Sequence, residues 1–234
     1  MRQLIWKEWH EQSWKLAFGC IVLSAFAGIG LRTRIILDQE MILWVCMPAM
    51  CLLPLLAATG LIPAERSDGT LESLAALPVS LRKIFVVKTM TGLILCAVPL
   101  LAAMAVSLAI AGGRELPAAV IVGIYGMVIV SSLSLFMWML ALTIRLPTEA
   151  RAAMVSIGLL MCWAMVSAGL MEAGPPVLCT LSPFAFVFEY LVVHRTGEPV
   201  PPPLILNILA QAVIGAVLWI CAARAISKDV NSVG

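Results

Sequence analysis

The 234-residue sequence predicts an all-α integral membrane protein with six crossings, and three observations carry that prediction. Hydrophobic residues make up 62% of the chain and charged residues 12%, where a soluble domain has roughly 45–50% and 25%. The mean hydropathy is +1.04. The apolar residues gather into six long runs, and the charged residues lie in the segments between them. A soluble fold of this length has too little interior to hide so much apolar surface, so lipid is the solvent.

Crossing about 30 Å of hydrocarbon as a helix takes roughly 17–25 residues. The runs at Leu16–Leu31, Met41–Ile62, Thr89–Ala111, Ala118–Ile144, Ala152–Met171 and Leu204–Ala223 meet or approach that length. The first is short, and Trp14 extends it at the interface. Pro48, Pro54 and Pro99 fall inside the second and third runs, where each removes a backbone donor and predicts a kink. Leu16–Ser24 followed by Ala25-Phe26-Ala27 has the outline of a signal peptide. The fifteen residues before it hold Glu8, Glu11 and three tryptophans, which is foreign to such a leader, so the run is read as a span.

Orientation follows from the loop charges. With the N-terminus in the cytoplasm, the inside segments hold eleven of the Lys/Arg residues and the outside segments four: Arg32, Arg34, Arg114 and Arg195. That asymmetry obeys the positive-inside rule and puts both termini on the cytoplasmic side.

Several function classes are disfavoured. The assigned spans contain no Asp, Glu, Lys, Arg or His, which disfavours a proton relay or an intramembrane enzyme. No G-x-x-x-x-G-K-[ST] loop is present, so the chain is not read as an enzyme and no catalytic residue is assigned. The net charge of +2 is dispersed and does not suggest nucleic acid. The seven cysteines form no C-x-x-C pair and the thirteen methionines lack His or exposed Cys beside them, so no metal is expected. Small residues at Gly123, Gly126, Ser156, Gly158, Ala212, Gly215 and Ala216 allow close helix approach, either within the chain or at a dimer seam.

The first fifteen residues predict an amphipathic elbow helix on the cytoplasmic leaflet. Ile5, Trp6 and Trp9 gather on one side, with Trp14 at the interface. Lys7, Glu8, Glu11 and Lys15 occupy the other side, where Lys7, Glu8 and Glu11 could contact a soluble partner. The loop Glu65–Lys88 carries four of the fifteen Lys/Arg residues. Pro63 ends the second span, Asp68-Gly69 starts a new helix, Glu72 suits its first turn, and Pro78 stops it. Leu71, Leu74, Ala75 and Pro78 keep a helical spacing, so a short helix parallel to the membrane is expected, with Leu81–Lys88 as connector.

The stretch E-R-S-D-G-T-L-E-S-L-A-A-L-P-V-S-L-R-K-I-F-V-V-K resembles the cytoplasmic loop of permease subunits of type-two ATP-binding-cassette (ABC) exporters, and K-E-W-H-E-Q-S-W-K-L resembles their elbow helix. The resemblance implies that Gly69–Leu77 is a coupling helix docking on a separate ABC ATPase subunit. Glu65, Asp68, Gly69, Thr70, Leu71, Glu72, Leu74 and Pro78 would form or support that contact. It also implies ATP and Mg on the partner rather than on this chain, a second permease copy or paralogue, contact with membrane lipids, and a plasma-membrane location. A non-transporting scaffold recruiting a soluble partner is the alternative; a neighbouring reading frame with a phosphate loop would favour export. Apolar spans suit lipids, drugs, peptides and glycan carriers alike.

Residues 181–193 are apolar but too short to cross. Ser182 as N-cap and Pro183 at the first helical position start an external re-entrant or interfacial helix, with Phe184, Phe188 and Glu189 as a possible gate.

Overall fold

The computed structural model describes residues 2–33, 38–67, 81–111, 117–173, 182–184 and 204–231. These contain seven helices: α1 (Arg2–Thr33), α2 (Asp38–Leu61), α3 (Pro63–Ser67), α4 (Leu81–Ala111), α5 (Ala118–Thr143), α6 (Glu149–Ala173) and α7 (Leu204–Asn231). All but the single-turn α3 are long and apolar enough to cross a membrane, and no strand occurs among the described residues. The helices continue across Pro48, Pro54 and Pro99.

Two boundaries differ from expectation. The expected elbow and first span are one continuous helix, α1, with no break near residue 15. α1 runs parallel to α4 in a nearly constant register: Glu8 meets Lys88, Gly19 faces Pro99, and Gly28 faces Val106 and Ile110. The first turns of α1 are thus packed on the bundle, because their charged face finds partners there. Trp6 and Trp9 point outward, 68% and 53% exposed. The second difference is the connector Leu81–Lys88, which forms the first two turns of α4. Lys88 therefore sits on a spanning helix rather than in a loop.

The interior has two apolar clusters. One gathers Ala57, Leu61, Phe85, Cys96, Phe136 and Met139 from α2, α4 and α5, joined by Ala222 of α7. The other gathers Cys46, Met50, Leu100, Ile121 and Tyr125 and takes in Phe184. At Gly92, α4 leaves no room for a side chain against α5 and α2: a Cβ there would lie 2.2 Å from the Phe136 ring and 2.8 Å from Leu61. Gly126 and Gly158, read from sequence as close-approach positions, meet nothing within 4 Å.

Polar pairs fix the register between helices where hydrocarbon alone would let them slide. Ser107 and Tyr125 share a hydrogen bond of 2.9 Å between α4 and α5, and Ser134 donates to Gln211 between α5 and α7. Ser167 of α6 pairs with Ser182. The Phe184 N–H donates to the Ser182 hydroxyl at 3.0 Å. Thr148 caps α6 by accepting from the Arg151 N–H.

A buried ion cluster at the roots of the 68–80 segment

The chain leaves α3 after Ser67 and re-enters α4 at Leu81. Beside these two points lies the densest group of charges among the described residues. Lys88, seven residues or about 10 Å along α4, sends its ammonium to Glu8 of α1 at 2.7 Å and to Glu65 of α3 at 2.8 Å. Glu8 is 1% exposed, Lys88 is 2% exposed, and Glu65 is buried. Lys7 reaches Glu65 at 3.7 Å and Glu11 at 3.6 Å from the rim of the cluster.

Local sequence explains how three elements converge. Pro63 begins the α3 turn immediately after α2 ends, which turns Glu65 back under the bundle. The Arg66 N–H donates to the Ile62 carbonyl at 3.0 Å and closes that turn. Glu8 and Gln12, one turn apart on α1, are both buried on the face that meets α4. Phe85, buried one turn before Thr89, stacks on Trp219 of α7 with ring centroids 5.8 Å apart and shields the far side of α4.

Taking these charges out of water costs several kcal/mol per ion, and only close, well-paired contacts offset it. Lys88 serves two carboxylates at once, and among the described residues the second oxygen of Glu8 has no hydrogen-bond donor. Oxygens of Glu8, Glu11 and Glu65 approach within 4.8 Å of one another, as in a metal site. The Lys88 and Lys7 ammoniums already supply the positive charge there, so the group is an internal ion cluster.

The sequence-predicted residues divide accordingly. Glu8 and Glu65 turn their carboxylates inward to Lys88. Lys7 and Glu11 remain partly exposed, as do Trp6, Trp9 and Trp14; Trp6 stacks on His10 with centroids 5.3 Å apart. Asp68, Gly69, Thr70, Leu71, Glu72, Leu74 and Pro78 lie outside the described residues, as do Phe188, Glu189 and most of the external segment. Phe184 is buried in the apolar core. Sequence reasoning missed the role of Lys88; the signal was a lone lysine at the head of an apolar run, facing an N-terminal helix rich in acids.

Six crossings and a charged base define a multi-pass membrane protein. The family model for ABC-2 family transporter proteins matches residues 5–167, and the chain belongs to that family. The match extends from the first turns of α1 through most of α6 and includes every residue of the ion cluster. No curated protein matches the chain. Its place in the family is that of the membrane component, a permease, and such permeases in general associate with an ABC ATPase subunit.

Proposed function

We propose that the chain is the permease of an ATP-driven exporter in a plasma membrane, with both termini and the 68–80 segment in the cytoplasm. A separate ATPase subunit holds ATP and Mg and grips that segment through Gly69–Leu77, with Asp68, Thr70 and Glu72 at the contact. A second permease copy or paralogue completes the transport path.

The observation that carries this reading is the buried cluster of Lys88 with Glu65 and Glu8. A segment pushed from outside moves the membrane helices only if its two roots are rigidly tied to them. Glu65 ties the entry root and Lys88 the exit root, and Glu8 adds α1, so force on the segment reaches α2, α4 and α1 together. Buried ion pairs suit this task because their geometry is specified closely and their rupture is costly.

The test is association and coupling. Glu72→Arg or Gly69→Pro should leave the chain in the membrane while co-purification of the ATPase subunit falls about tenfold, the effect of losing roughly 1.4 kcal/mol at the contact. Unchanged co-purification with both variants would refute the docking role.

A further inference from the structure

A groove of about 670 Å³ runs between α1 and α2 on the outside of the bundle. Its walls are apolar, with Phe18, Val22 and Phe26 on one side and Pro48, Leu52 and Leu56 on the other. Phe18, Phe26, Leu52 and Leu56 are all more than half exposed, so the groove is open along its length. The groove extends from Trp14 to Phe26, twelve residues of helix or about 18 Å, which matches one leaflet of a hydrocarbon layer about 30 Å thick.

One end is chemically distinct. Trp14 is 64% exposed, as an interfacial indole is, and Lys15 and Glu149 line the groove beside it. The Lys15 ammonium lies 3.4 Å from the point a Gly60 Cβ would occupy, so the missing side chain makes its seat. Among the described residues Lys15 has no carboxylate within 4.0 Å; its ammonium lies over the neutral Trp14 ring, 5.9 Å from the centroid. Glu149, on the first turn of α6, is exposed at the same mouth.

From this arrangement we infer that the groove is a binding site for one aminophospholipid. An acyl chain lies along α1 and α2 in the apolar walls, the phosphate meets Lys15, and the headgroup amine turns to Glu149. The occupant has the groove's length, its apolar body and both of its charges. The site stands whether or not the 68–80 segment docks an ATPase.

Native mass spectrometry of the full-length chain, extracted with its complex in mild detergent, tests this. Phosphatidylethanolamine, phosphatidylglycerol and diacylglycerol with identical acyl chains are offered in competition. The wild type should retain phosphatidylethanolamine over both others. Lys15→Gln should lower its retention about tenfold, the loss expected of one charge-assisted hydrogen bond, and Lys15→Arg should restore it. Glu149→Gln should erase the preference over phosphatidylglycerol, and Leu52→Trp, which fills the groove, should abolish retention of all three. Retention of diacylglycerol equal to phosphatidylethanolamine overturns the inference. So does phosphatidylglycerol binding as well as phosphatidylethanolamine in the wild type, or undiminished retention in Lys15→Gln. Elution and α-helical content matching wild type identify the folded variants, and Lys15→Gln, a change at the groove mouth, keeps the test decisive if Leu52→Trp does not fold.

Discussion

The two parts of α4 are held in the bundle by opposite means. Its first turns bring Lys88 to two buried carboxylates from α1 and α3. One turn farther on, Gly92 lets the helix close on Phe136 and Leu61 with no polar atom involved. The base is specified by chemical identity, because a missing charge leaves its partners stranded in a low-dielectric interior. The middle is specified by volume, because close-packed apolar groups tolerate swaps of equal size but neither gaps nor excess. In the coupling we propose, the identity-specified joint sits at the roots of the docking segment and the shape-specified contacts lie deeper in the bundle.

Substitutions that separate charge from volume test this contrast. The largest effect belongs to Lys88→Met, which keeps the bulk and strands Glu8 and Glu65. A loss of about 3–5 kcal/mol is expected, read as a collapse of the thermal unfolding midpoint in detergent and of the amount of chain in the membrane. Glu8→Gln leaves Lys88 with Glu65 and should cost about 1.5–3 kcal/mol, the worth of a hydrogen bond to a charged group. Combined with Lys88→Met it should add far less than that, and full additivity would show that the two residues act separately.

Gly92→Ala probes the other region. The added methyl collides with the Phe136 ring and should cost about 1–3 kcal/mol through overpacking, largely recovered by the companion change Phe136→Leu. No recovery would mean that the position is governed by something other than volume. The smallest effect is expected from Glu11→Gln, which breaks only the partly exposed 3.6 Å contact with Lys7. Its cost should stay below about 0.5 kcal/mol and vanish in high salt; a larger, salt-insensitive loss would place Glu11 in the buried part of the cluster rather than at its rim.

Composition and run length alone settled the bilayer as solvent and the six helices that can cross it, since backbone groups in hydrocarbon have to be satisfied within helices. The loop pattern between the second and third spans and the tryptophan-rich start resembled the family to which the chain belongs. Ser182 accepts a local hydrogen bond from the Phe184 N–H, while the helix expected to follow it lies outside the described residues. Periodicity separated the indole face of α1 from its charged face and left open what each face meets. Only the tertiary structure showed the charged face turned inward, with Glu8 and Glu65 sharing Lys88 across long stretches of chain. Gly92 was likewise silent in the sequence, while Gly126 and Gly158 looked like packing positions and face open space. The reason is physical: solvent choice and helix formation depend on nearest neighbours along the chain, whereas the partner of a buried charge or a missing side chain is set by which helices lie side by side.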